Sequence, residues 1–164
     1  MATEISRLAN EIVGLLRAKG YLFATAESCT GGAIASAVTS VAGCSDVMYG
    51  GVVAYHNSVK QALLGVSGVS LEAYGAVSEA VAREMAEGVA ARFGVDCAVA
   101  TSGIAGPGGG TPEKPVGTVW VAVKVGNNVS THLLQLHDEG RENNIKKCVA
   151  EALRLLLRRL GGGE

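Results

Sequence analysis

Two short apolar runs, "YLFATA" from Tyr21 and "VDCAVATSG" from Val95, each end at a loop of glycines and hydroxyl residues. Apolar runs of this length bounded by turn residues read as buried strands. The segments between them carry helical apolar spacing, so the early strands are separated by helices. The late strands are not. "TVWVAVKVG" and "VSTHLLQL" follow each other across Gly126-Asn127-Asn128, which reads as a hairpin turn. Strands that alternate with helices and then run in sequence predict a three-layer α/β/α sandwich with a mixed sheet.

The helices can be placed on the same basis. Ile5, Leu8, Ala9, Ile12, Val13 and Leu16 fall on one face of an N-terminal amphipathic helix. A small-residue helix is expected from the first glycine loop to about Val41. "DVMYGGVVAYHN" reads as a second strand, where Gly50-Gly51 marks a bulge or a close approach. "SVKQALLG" reads as a short helix opened by Ser58 and closed by Gly65. "SEAVAREMAEGVAARFG" is a longer helix with Ser78 as its N-cap. The last helix runs from about Arg141 to Leu160, and 161–164 reads as a frayed tail. No linker or repeat divides the chain, so 1–164 is expected to be one domain.

Charge and cysteine spacing narrow the class. The net charge is −1, which removes a sequence-wide electrostatic case for nucleic acid. No apolar run reaches the roughly 18 residues of a membrane span, and the N-terminus lacks the pattern of a signal peptide. Cys29, Cys44, Cys97 and Cys148 form no C-x-x-C pair. Zinc and thioredoxin-type readings are therefore weak, and free thiols in a reducing cytoplasm are the expectation.

The two glycine loops, "AESCTGG" and "TSGIAGPGGG", compete for a ligand site, because such sheets bind ligands outside the strand C-termini. Exposed N–H groups in loops of this kind hold phosphate or a developing oxyanion. Neither loop is a P-loop, a dinucleotide fingerprint or a Gly-x-Ser-x-Gly elbow. Ser28 and Cys29 are both candidate nucleophiles, although a free buried cysteine is the ordinary role for Cys29. A serine nucleophile needs a base. His132 falls in a hairpin strand and reads as structural. His56 competes with Tyr55 and Lys60 in "YHNSVK". Strand alternation sends Tyr55 and His56 to opposite faces, so only one of them faces a given site.

"TAESCTGG", "GGVVAYHNSVKQALLGV", "YGAVSEAVAREMAEG", "TSGIAGPGGGTPEKPVGTVWVAV" and the closing "GREN" helix occur in one order. In that order the chain resembles the C-terminal domain family of CinA, the competence-damage-inducible proteins, from about Ser6 to Leu160. It resembles the stand-alone form, without the nucleotide-pyrophosphatase-like domain of full-length members. The resemblance implies a hydrolase of pyridine nucleotide salvage. Such an enzyme cleaves the carboxamide of nicotinamide mononucleotide to nicotinic acid mononucleotide and ammonia, without metal or cofactor. It implies Ser28 as nucleophile, activated by Tyr55 and Lys60. Thr30, Gly31 and Gly32 match the substrate and oxyanion environment. Ser102, Gly103, Ala105 and Gly106 match a second binding loop, and Arg141 matches an arginine for the 5′-phosphate. A homo-oligomer is implied. The family usually reads Gly-Asp-Arg before the last helix, whereas Gly140 precedes Arg141 here, with Asp138 and Glu139 as the nearby acids.

A non-catalytic nucleotide- or phosphate-binding module is the competing reading. A substitution at Ser28, Tyr55 or Lys60 would favour it, and all three residues are present. A DNA-uptake accessory rests only on the family's historical name, and the charge balance and few aromatics argue against direct DNA contact.

Overall fold

The computed structural model describes residues 2–161 of the 164-residue chain. Its elements are α1 (Ala2–Lys19), β1 (Phe23–Glu27), α2 (Ala33–Thr39), β2 (Met48–Val53), α3 (Asn57–Leu64), α4 (Gly68–Tyr74), α5 (Glu79–Phe93), β3 (Cys97–Gly103), β4 (Thr118–Val125), β5 (Asn128–Gln135) and α6 (Arg141–Arg159). The strands lie in the order β2-β1-β3-β4-β5. β1 is parallel to both β2 and β3, while β3, β4 and β5 pair antiparallel. The sheet is therefore mixed.

Each face of the sheet has its own core. Leu8, Ile12 and Leu16 of α1 pack with Ile34 of α2 and Leu153 and Leu156 of α6 on one face. Val81, Met85 and Val89 of α5 pack with Leu64 of α3 on the alanines of β1 and β3 on the other. Each buried Leu, Ile, Val or Met side chain contributes roughly 1.5–3 kcal/mol. The small residues of β1 and β3 let α5 lie close to the sheet centre. The result is a three-layer α/β/α sandwich.

The route of the chain opens a crevice. β1 leaves through α2 to the edge strand β2, and β2 returns through α3, α4 and α5 to β3 on the other side of β1. Strand order thus reverses between β1 and β3. In open α/β sheets that switch point, outside the strand C-termini, is where ligands bind.

Several local expectations need correction. β2 ends at Val53, short of Tyr55 and His56. The alternation argument for those two residues therefore does not apply. Helix α3 is capped by His56, whose side chain accepts from the Ser58 N–H, and not by Ser58. α2 stops at Thr39. The bulge lies at Tyr49, where pairing jumps from Phe23–Met48 to Ala24–Gly50. The close approach lies at Gly51, where a Cβ would stand 2.3 Å from Thr25 Oγ1. α4 carries no clear sequence signal. Ser78 does cap α5, and Gly65 does close α3. At the turn Val125 pairs with Asn128. Gly126 takes a positive φ there and Asn127 does not, the pattern of a type II′ turn. Of the expected tail, Gly161 closes the turn after α6, and 162–164 lie outside the described residues.

Candidate active site

The parallel register pairs Ala26 with Ala100 and Glu27 with Thr101. One step further along, Ser28 and Ser102 stand side by side at the strand ends. The Ser28 N–H donates to the Thr101 carbonyl at 3.0 Å, which extends the ladder by one bond. Alternation puts Ala24, Ala26 and Ser28 on the α5 face and Glu27 on the α2 face. The chain then turns sharply, with the Gly31 N–H donating to the Ser28 carbonyl at 3.1 Å.

The acid in "AESCTGG" belongs to the turn. Glu27 is fully buried, and Oε1 accepts from Thr30 Oγ1 at 2.7 Å and from the Ile34 N–H at 2.9 Å. Oε2 accepts from the Ala35 N–H at 3.0 Å. The N-cap of α2, Gly32, has no side chain to offer, so Glu27 satisfies the free amides there and faces the positive end of the helix. Thr30 Oγ1 also lies 2.8 Å from Thr101 Oγ1. Thr30, Gly31 and Gly32 thus build the turn from behind, and none of them lines the cleft in front of Ser28.

α3 delivers the next group. Lys60 is 1% exposed, and its Nζ lies 3.1 Å from Ser28 Oγ. The same amine donates to the Tyr55 carbonyl at 3.1 Å. It enters no ion pair among the described residues. Burial without a carboxylate partner pushes its pKa below the 10.5 of an exposed lysine. His56, bound to Ser58 at the start of α3, takes no part in this cleft.

Tyr55 enters by its carbonyl on one side and by its phenol on the other. The phenol oxygen accepts from Arg141 Nη2 at 2.8 Å, and Arg141 Nη1 donates to the Gly106 carbonyl at 2.7 Å. Arg141 therefore bridges the segment after β2 to the glycine loop after β3. At Gly106 the loop takes a φ of +84°, and a Cβ would stand 2.6 Å from Val116. The acids before α6 bond to groups of their own segment and of α6. Asp138 accepts from the Gly140 N–H and from the buried Asn144, which holds its carboxyl below the usual range. Glu139 pairs with Lys147 at 2.7 Å. Asn144 also donates to the Ala105 carbonyl at 3.0 Å, fastening α6 to the loop.

These groups enclose a cleft of about 270 Å³. Ser28, Tyr55, Lys60, Ser102, Gly103, Ala105, Gly106 and Arg141 all line it, as do Cys29, Asn57, Ala76, Val77, Ile104, Gly108 and Gly109. Ser102 Oγ donates to the Ala76 carbonyl at 2.7 Å, which closes one wall. Ala76 and Val77 carry no chemical signature in the sequence. Asn57 could have been suspected from its place in "YHNSVK". Cys29 shares a hydrogen bond with buried Cys148, which holds the Cys29 thiol below and the Cys148 thiol above the ordinary range.

Residues 5–160 match the CinA C-terminal domain family. A CinA-like protein of Synechocystis sp. is 48% identical over 155 residues, which are 93% of this chain and 37% of that protein. One of Chlorobaculum tepidum is 47% identical over 164 residues, 97% of this chain and 38% of that protein. The chain thus spans under two fifths of the curated relatives it matches. Among solved structures, the competence/damage inducible protein CihA of Agrobacterium tumefaciens superposes with a TM-score of 0.92 at 44% identity, covering 96% of each chain. A CinA superfamily protein of Escherichia coli superposes with a TM-score of 0.92 at 36% identity, covering 96% of this chain and 91% of that one.

Proposed function

Because the chain belongs to the CinA C-terminal domain family, and because its cleft joins a buried lysine to a serine, we propose that it hydrolyses the carboxamide of nicotinamide mononucleotide. The products are nicotinic acid mononucleotide and ammonia. The observation that carries this reading is the 3.1 Å approach of Lys60 Nζ to Ser28 Oγ, where no carboxylate pairs with the lysine among the described residues.

An amide is a weak electrophile, so two easier steps through an acyl-serine replace one difficult step. Neutral Lys60 keeps an N–H on the Tyr55 carbonyl and turns its lone pair to the Ser28 hydroxyl. Ser28 Oγ attacks the carboxamide carbon as its proton passes to Lys60, and the carbonyl electron pair moves to oxygen. The tetrahedral species collapses when Lys60 returns that proton to the leaving nitrogen. The C–N bond breaks and ammonia departs. A water then attacks the acyl-serine, giving its proton to Lys60, and the second collapse restores Ser28 and releases the carboxylate. Lys60 can act this way only if it is partly neutral at working pH, and burial moves its pKa in that direction.

The remaining groups suit a nucleotide. Arg141 stands at the cleft with no carboxylate partner among the described residues, and its fork of donors fits a phosphate. The Tyr55 phenol accepts a hydrogen bond from that guanidinium, which supports a part for Tyr55 in positioning substrate. Gly106, Gly108 and Gly109 present backbone near the same end. The direct test is ammonia release from nicotinamide mononucleotide by the protein and by Ser28→Ala. Release by the parent and its loss in the variant supports the reading. Tight binding of the nucleotide without release would favour a binding module.

A further inference from the structure

The oxyanion formed in that reaction needs a donor, and serine hydrolases commonly use the amide of the nucleophile or of the residue after it. Here the Ser28 amide is already spent on the Thr101 carbonyl, whereas the Cys29 amide makes no backbone hydrogen bond among the described residues and is the competing donor. The Gly31 amide is spent on the Ser28 carbonyl, and those of Ile34 and Ala35 on Glu27. Resting on the amidase reading, we infer that the backbone N–H of Gly103 is the oxyanion donor.

The argument comes from strand register. Successive residues of a strand point their backbone N–H and C=O groups to alternate neighbours. The Ile104 N–H donates to the Thr118 carbonyl at 2.9 Å, and the Ile104 carbonyl accepts from the Gly117 N–H at 2.8 Å. Even-numbered residues of β3 therefore bond towards β4. The Cys97 N–H donates to the Leu22 carbonyl at 3.0 Å, and the Thr101 carbonyl accepts from Ser28. Odd-numbered residues therefore bond towards β1, and Gly103 is the last of them. Its amide faces the line of β1 beyond the end of that strand. The partner a longer strand would supply is the Ser28 carbonyl, but that carbonyl has turned away to accept from Gly31. The Gly103 N–H is left facing the gap beside the nucleophile, and both residues line the cleft. As negative charge grows on the carboxamide oxygen, this amide donates to it without transferring its proton.

Side-chain substitution cannot test this cleanly. A Cβ at 103 would stand 2.5 Å from Val119 Cγ2 and 2.7 Å from the Thr118 carbonyl, so the strand would have to shift. Replacing Gly103 by glycolate, through nonsense suppression, exchanges its N–H for an ester oxygen and adds no atom. Glycolate at Gly126, whose N–H bonds to Asp96 at the hairpin turn, controls for ester insertion away from the cleft. Two rates are read in each protein: ammonia release from nicotinamide mononucleotide, and phosphorylation of Ser28 by diisopropyl fluorophosphate, followed by mass spectrometry. The thermal midpoint reports the fold.

Loss of one oxyanion donor costs roughly 10²–10³-fold in kcat. The expected result at 103 is a loss of that order, little change in KM, a parallel fall in phosphorylation rate and a cooperative melt. The Gly126 ester keeps both rates. A 103 ester that folds and retains both rates within about threefold overturns the inference and passes the role to the Cys29 amide. If the unmodified protein releases no ammonia but the 103 ester still slows phosphorylation, the substrate reading fails and the donor assignment stands.

Discussion

Lys60 Nζ stands 3.1 Å from Ser28 Oγ, at the end of a buried side chain that no carboxylate among the described residues neutralises. Only the uncharged amine can take the serine proton. The rate of amide hydrolysis should therefore fall on the acid side as Lys60 protonates, with an apparent pKa below 10.5. Lys60→Met should lose at least about 10³-fold across the whole pH range. His56→Ala should stay within a few-fold of the parent, since its imidazole caps α3. A full pH–rate profile of the three proteins checks this. A dead His56→Ala beside an active Lys60→Met would replace the dyad with a serine–histidine pair.

Ser28 and Cys29 are adjacent, but they point to different cores. Ser28 opens to the cleft, whereas Cys29 packs with the α1, α2 and α6 side and meets Cys148. Ser28→Ala should lose at least about 10³-fold in kcat. Cys29→Ala should keep most of its activity and lose about 1 kcal/mol of stability for the small void. Intact-mass detection of acyl or phosphoryl adducts distinguishes the two, because the adduct should vanish only with Ser28.

Arg141 reaches both Tyr55 and Gly106, so removing it affects binding where those two residues border the cleft. Arg141→Ala should raise KM for nicotinamide mononucleotide by about 10–100-fold, the range of a lost charge-assisted contact of about 1.5–3 kcal/mol. Turnover of nicotinamide riboside, which lacks the phosphate, should barely respond. An equal loss on both substrates would mean that Arg141 organises the loop and does not hold phosphate.

Glu27 accepts two hydrogen bonds from α2 amides and one from Thr30 in the turn before it, while sitting one residue before the nucleophile. Glu27→Ala leaves the Ile34 and Ala35 amides without their acceptor. A destabilisation of about 2–3 kcal/mol is expected in urea unfolding. Glu27→Gln keeps one acceptor oxygen and should lose less. Full stability in Glu27→Ala would show that water replaces the carboxylate.

What the sequence disclosed followed from locality. Ser28 stood out because a strand, a turn and a helix start are all written within ten residues. Lys60 stood out because it falls in the first turn of the helix that follows Tyr55. The mixed sheet was legible because helices separate the early strands and a Gly/Asn turn joins the late ones. The division of labour inside "AESCTGG" was not legible. Whether Glu27 and Thr30 face substrate or α2 depends on where α2 starts and on pairing with Thr101, 71 residues from Thr30. Asn144 was invisible for the same reason, since its partner Ala105 lies 39 residues away. α4 was missed because its seven residues bury no side chain fully.

The same amine makes a stability prediction of opposite sign to its activity prediction. Burial lowers the pKa of Lys60 in the folded protein, while the unfolded chain holds its proton up to about 10.5. Between those two values the unfolded state carries the extra proton, so stability rises with pH through that window. Below the folded value the full penalty is present, and above 10.5 it is gone. Each tenfold loss of proton affinity corresponds to ~1.4 kcal/mol. Lys60→Met removes the ionisable group and keeps a long apolar side chain in the same space. The contacts it gives up, at the Tyr55 carbonyl and the Ser28 hydroxyl, border an open cleft where water can replace them. The variant should therefore melt above the parent near neutral pH, by roughly 2–4 °C for each kcal/mol recovered. Its advantage should shrink as pH approaches 10.5. Calorimetric melts of both proteins from neutral to alkaline pH measure the difference. A Met variant that melts below the parent at neutral pH, or a gap that ignores pH, would show that the folded protein does not hold Lys60 against its proton. A more stable and inactive variant would mark Lys60 as a group retained for chemistry at the expense of the fold.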